Sequence, residues 1–231
     1  MSPNSNTKPK PNLVAPAPAP PTKSYRAHRE RQRRRILNAA QVLFNQKGID
    51  RVTLAEIINA TGVRPSTVYE YFSNKDQIVW ALVEEYFAQS HQGLRERYEE
   101  AAESTLAKIA AMLEALGDEL TEHPERVRFQ AQFDAMYARD WSVELMLAIE
   151  DKILPDRFEN LADLIREGIA DGSLRSDLNP ELTMHSVFNA VIATQRRLAA
   201  LGDRVEQEFG QPIQLLFREA VRIILLGLRK D

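Results

Sequence analysis

From Tyr25 onward the apolar residues of this chain recur at helical spacing, and no segment shows the strict alternation of a half-buried strand. Ile36, Ala40, Leu43 and Phe44 make the first stripe. Gly48 follows Lys47 as a stop, because glycine takes the left-handed conformation that closes a helix at little cost. Thr53-Leu54-Ala55-Glu56 has the spacing of a capping box, in which the threonine caps the helix start and the glutamate reaches back to it. That box predicts a helix carrying Leu54, Ile57 and Ile58 and ending by Gly62. Pro65 suits the first turn of a further short helix, where its missing N–H costs little, and this helix is predicted to reach about Phe72. Ser73 is predicted to cap the next, whose broad stripe is Ile78, Val79, Leu82, Val83, Tyr86 and Phe87.

The pattern then predicts helices over 104–122, from Pro124 onward, over 142–170 with a break before Pro155, from Pro180 to about Leu201, and from Pro212 to about Leu228. "DGSLRSDLNPE" is rich in turn residues and reads as a loop. Upstream, residues 1–24 are dominated by Pro, Ala, Ser and Asn and read as a disordered tail. The fold class is therefore all-α. The expected division is a tail over 1–24, a three-helix helix-turn-helix domain over 25–75 and a larger helical domain over 76–231.

Composition narrows the chemistry. The 231 residues include no cysteine, which excludes disulfides and thiolate metal sites and fits a cytoplasmic location. No apolar run approaches the roughly 20 residues that span a bilayer, so no membrane partner is expected. The net charge of −3 conceals a basic block: Lys23, Arg26, Arg29, Arg31, Arg33, Arg34 and Arg35 are opposed only by Glu30. A basic end on an acidic body points to an anionic partner at that end.

Two short helices separated by "TGVR" and packed on a longer one have the spacing of a helix-turn-helix, whose second helix lies in a DNA major groove. Arg64, Pro65, Ser66 and Thr67 would form the N-terminal turn of that second helix, with Tyr69 one turn on and Lys75 at the side. Val68 and Phe72 would face inward. The arginines before the first helix read either as a solvated segment or as an arm that crosses the DNA backbone or enters the adjacent minor groove.

The stretch "ILNAAQVLFNQKGIDRVTLAEIINATGVRPSTVYEYFSNKDQIVWAL" resembles the DNA-binding domain of the tetracycline-repressor (TetR) family of bacterial transcription regulators. The resemblance covers about 29–87 and rests on an ordered set that includes Ile36, Ala39, Phe44, Gly48, Thr53, Ile57, Gly62, Tyr69, Phe72 and Lys75. It implies a homodimer on a near-palindromic operator in double-stranded DNA, most often as a repressor, and a C-terminal domain that binds a small-molecule effector and spreads the DNA-binding heads. It also implies that Thr53 and Lys75 contact phosphates, that Arg64, Ser66 and Thr67 contact bases or adjacent phosphates, and that Tyr69 lies in the groove. Two positions depart from the family pattern. Tyr71 stands where histidine is usual, and Arg64 stands where a capping serine is common, which removes an N-cap or supplies a guanine contact.

In the C-terminal region, the expected dimer surface comprises Val187, Val191 and Leu198 with Leu216, Ala220, Ile223 and Ile224, from two helices that would form a four-helix bundle across a two-fold axis. Candidates to line an effector pocket are Met112, Leu116, Phe129, Phe133, Met136, Tyr137, Trp141, Phe188 and Gln195, a set that suits an apolar or amphipathic ligand. Catalysis, a cofactor and a metal are not expected. The sequence holds no Gly-rich phosphate loop or Gly-x-Ser-x-Gly elbow, and its four histidines are scattered. The competing reading is a basic-tailed helical dimer that binds RNA or anionic surfaces without operator specificity.

Overall fold

The first helix, α1 (Lys23–Lys47), begins two residues upstream of the expected Tyr25 and stops at Gly48, whose φ of 92° no L side chain adopts comfortably. The computed structural model describes residues 23–101, 104–137 and 161–230. Among these the only β feature is an isolated antiparallel bridge between Leu174 and Arg229. The chain continues through α2 (Leu54–Thr61), α3 (Pro65–Tyr69), α4 (Lys75–Glu100), α5 (Thr105–Glu122) and α6 (Pro124–Tyr137). After the undescribed residues come α7 (Leu161–Ala170), α8 (Pro180–Leu201), α9 (Arg204–Phe209) and α10 (Ile213–Leu228). The fold is all-α. Of the tail expected over 1–24, residues 1–22 lie outside the described residues while Lys23 and Ser24 open α1; most of the predicted 142–170 helix is likewise outside them.

Two apolar clusters organise the helices. The first joins Ile36 and Phe44 of α1, Ile57 of α2, Val68 and Phe72 around α3, and the Ile78–Tyr86 stripe of α4. It also takes in Phe129 and Phe133 of α6, so this core is not built from the N-terminal helices alone. The second is formed by α5, α7, α8 and α10, with Leu113, Ile165, Val191 and Phe217 among its buried members. Helix α4 runs from one to the other, and its Leu94 and Tyr98 pack on the second cluster. Helices α5 and α10 approach closely at Gly117: a Cβ added there would stand 2.9 Å from the Phe217 ring.

Several local predictions need correction. Helix α3 ends at Tyr69 rather than Phe72, because Tyr71 and Phe72 both donate their N–H to the Val68 carbonyl, and this tight turn swings Phe72 into the core. Helix α4 is capped by Asn74 rather than Ser73. The Asn74 side chain accepts the Gln77 N–H at 2.9 Å, while the Ser73 N–H donates to the Gln77 side chain at 2.8 Å. Pro212 is the N-cap of the last helix rather than its first residue. Helix α9 was not anticipated. It has one buried residue, Val205, in a polar stretch between Gly202 and Gly210, too little pattern to read.

Candidate nucleic-acid interface

The capping box at Thr53 is complete. The Thr53 hydroxyl accepts the Glu56 N–H at 3.3 Å, and the Glu56 carboxylate receives the Thr53 N–H at 2.8 Å. The same carboxylate pairs with Lys47 at 2.7 Å and so ties the end of α1 to the start of α2. These contacts, Lys47 foremost and then Thr53, hold the Glu56 carboxyl down at about 2. Thr53 itself stays exposed. Helix α2 closes on Gly62 at φ 63°, and Thr61 secures the turn: its hydroxyl donates to the Ile58 carbonyl at 2.7 Å and accepts the Val63 N–H at 3.2 Å.

Helix α3 has two faces. Val68 is fully buried and is the helix's only buried residue, whereas Arg64, Pro65, Ser66 and Tyr69 are exposed and Thr67 is half-buried. Tyr69 is 55% exposed, far more than a packing tyrosine would be. Arg64 occupies the N-cap and makes no side-chain cap. Its carbonyl instead takes the N–H groups of Thr67 and Val68, so few backbone donors remain at that turn and the side chains carry the polar face.

Lys75 and Tyr71 differ from the exposed set. The Lys75 ammonium donates to the Ile49 carbonyl at 2.8 Å, which braces the turn after α1 against the start of α4. The Ile49 N–H in turn donates to Gln132 of α6 at 3.0 Å. Tyr137 adds a second link from α6, its hydroxyl donating to Asp76 at 2.6 Å; burial foremost, and then Asp76, pushes its phenol upward. Phe133 stacks on Tyr137, and Trp80 of α4 meets both rings edge-on. Sequence reasoning missed this polar coupling, and no spacing rule announces a contact between residues 83 positions apart.

Tyr71 is half-buried: it packs against the first cluster, and Arg29 lies over its ring, with Cζ 5.3 Å from the centroid; Arg33 lies similarly over Phe72 at 5.9 Å. The arginines expected to precede the first helix thus belong to α1, and from Lys23 on they do not form an extended arm.

The effector candidates do not converge on one site. Met112 and Leu116 sit in the second cluster with Phe188 against it, and buried Gln195 donates to the Leu116 carbonyl at 2.6 Å. Phe129, Phe133, Met136 and Tyr137 belong instead to the first cluster, where Phe129 meets Phe44 and Tyr86. Trp141 lies outside the described residues. A cleft of about 290 Å³ between α4 and α5 touches Leu116 but is lined mainly by charged and polar side chains, including Glu96, Arg97, Glu119 and Arg126. Of the expected dimer residues, Val187, Val191 and Leu198 are buried within the protomer, and Leu216, Ala220 and Ile224 are half-buried. Ile223 is 59% exposed, together with Leu182, Leu215 and Leu226. Among the described residues, no helix is long and apolar enough to cross a membrane.

Comparison with known proteins agrees with this geometry. The profile of "Bacterial regulatory proteins, tetR family" matches residues 36–82. An uncharacterized HTH-type transcriptional regulator, YvaF, of Bacillus subtilis (strain 168) is 29% identical over 67% of this chain and 85% of its own length. The HTH-type transcriptional repressor KstR2 of Mycolicibacterium smegmatis is 26% identical over 78% of this chain and 85% of its own. The fold matches that of the fatty acid degradation regulator FadR from Bacillus halodurans with a TM-score of 0.63, at 22% identity, over 87% of this chain and 97% of that one. The helix-turn-helix lies inside the matched segment, so residues 36–82 match the tetR-family DNA-binding profile, and most of the chain is similar to HTH-type transcriptional regulators.

Proposed function

We propose that the protein is a repressor that binds a near-palindromic operator as a homodimer and leaves it when a small amphipathic effector occupies the helical region beyond α4. The observation that carries the DNA-binding part is the division of α3: Val68 anchors one face while Ser66, Tyr69 and Arg64 stand free on the other. In this reading residues 25–75 form the DNA-binding domain and 76–231 the effector and dimer domain. Ser66, Thr67 and Tyr69 meet base edges or the adjacent backbone, and Thr53 and Lys75 flank them at phosphates. Arg64 is assigned a base contact in this reading, which its exposed side chain and its lack of a capping bond support.

The dimer surface in this proposal is the outer face of α8 and α10, where Leu182, Leu215, Ile223 and Leu226 are exposed apolar residues on neighbouring helices. The effector reading draws on the apolar cluster that holds Met112 and Leu116 with Phe188 packed against it, and on a fold neighbour that is a fatty acid degradation regulator. Helix α6 supplies the route from effector to head, since it packs on α8 and is bonded to Ile49 and Asp76.

The test is electrophoretic mobility shift on a selected site against random duplex, with Thr67→Ala and Tyr69→Ala. Both variants are expected to lose the preference while retaining weak salt-dependent binding. Equal affinity of the unaltered protein for both duplexes would favour a non-specific anion binder instead.

A further inference from the structure

We infer that Arg29 is a DNA-phosphate contact beside the recognition helix, and that Tyr71 is the platform that aims it. The inference rests on reading α3 as the helix that meets DNA. The stripe of α1 that buries Ile36, Ala40 and Phe44 continues upstream, at helical spacing, as Arg33 and Arg29. At that end the core has run out of apolar partners, and the stripe meets the two aromatic residues that follow α3. Arg33 covers Phe72 and Arg29 covers Tyr71. Neither arginine is paired with a carboxylate among the described residues, unlike Arg34, which is bonded to Glu85 of α4. Arg29 therefore stands at an exposed position with an aromatic ring, and no carboxylate among the described residues, against its guanidinium.

An arginine on a solvated helix loses side-chain entropy when it is fixed on a phosphate. Stacking on Tyr71 fixes part of it in advance. The ring holds the guanidinium by a cation–π contact, with Cζ 5.3 Å from the centroid, and no carboxylate among the described residues takes its N–H donors, which are available to phosphate oxygens. Arg29 stands at the C-terminal end of α3, away from the base-reading turn at Arg64–Thr67, and in a helix-turn-helix the elements flanking the recognition helix cross the backbone. Phosphate, rather than a base edge, is thus the matching partner. The departure from the family's usual histidine also acquires a reason: at this position the polar contact passes to an arginine from another helix, and the residue beneath needs a ring face more than a polar tip.

The test is fluorescence anisotropy of the full chain on its selected duplex across a sodium chloride series, with Arg29→Gln, Tyr71→Leu and Tyr71→Phe, and with thermal melting as the folding check. Arg29→Gln is expected to weaken binding roughly tenfold at low salt and to flatten the slope of log affinity against log salt by about 0.9. Tyr71→Leu is expected to weaken binding with the slope kept, because the charge remains but is no longer aimed, and Tyr71→Phe to recover most of that loss. An unchanged slope in Arg29→Gln, or a Tyr71→Phe variant as weak as Tyr71→Leu, would overturn the assignment. If the unaltered protein shows no preference for its selected site, the helix-turn-helix reading fails first and takes this inference with it.

Discussion

Val68→Ala isolates what holds the recognition helix in place. Helix α3 has five residues, too few to persist in water without tertiary packing, and Val68 is its only buried one. The side chain is fully buried against the α1–α2–α4 core. Removing two methyl-sized groups there costs about 0.8 kcal/mol each in transfer, and the cavity left behind brings the total to about 2 kcal/mol. For a chain of this size that corresponds to a melting temperature lowered by about 4–8 °C. Urea unfolding followed by circular dichroism gives the free energy, and calorimetry gives the melting point. Ser66→Ala is the companion, since Ser66 is exposed and makes no core contact. It is expected to change stability by less than about 0.5 kcal/mol while reducing operator preference. A Val68→Ala protein as stable as the parent, or a Ser66→Ala protein equally destabilised, would refute the two-faced account of α3.

Three further outcomes follow from particular contacts. Because the Glu56 carboxyl is held at about 2 against an ordinary 4.5, its contribution to stability is complete above pH 4.5 and disappears as pH falls toward 2; the urea-midpoint gap between the parent and Glu56→Gln should shrink across that window. Gly117→Ala should destabilise by about 1 kcal/mol net of its better helix propensity, since the new Cβ meets the Phe217 ring at 2.9 Å, and Phe217→Leu in that background should recover part of the loss in thermal melting. Ile223→Glu should leave a folded 26.3 kDa monomer by light scattering where the parent is twice that mass, and a parent already monomeric would remove the proposed α8–α10 surface.

What the sequence made legible was local. Thr53 and Glu56 lie three residues apart and their mutual capping is a property of that spacing, so the start of α2 was readable without a structure. Gly48 and Gly62 marked helix ends for the same reason. Val68 and Phe72 are both buried, as their i, i+4 relation predicted, though Phe72 reaches the core through the turn that follows α3 and not on the helix itself. What failed was long-range. Val187, Val191 and Leu198 looked like an outer dimer stripe, yet α8 is apolar on more than one side and these three face the protomer's own core. Phe129 and Phe133 looked like pocket residues because aromatic stripes suit ligands and cores alike; the structure sets them against Phe44, Tyr86 and Trp80. The stack of Arg29 on Tyr71 joins residues from different helices and left no periodic trace.

The central claim is that α3 reads a specific site in duplex DNA on behalf of two copies of this chain. Selection from a random duplex library, followed by sequencing, tests it most directly. The account predicts enrichment of one motif with two related, inverted half-sites, bound more tightly than random duplex by about a thousandfold or more, and lost from the selection when Tyr69→Ala is used. Recovery of unenriched sequence, or of a motif that survives Tyr69→Ala unchanged, would contradict it.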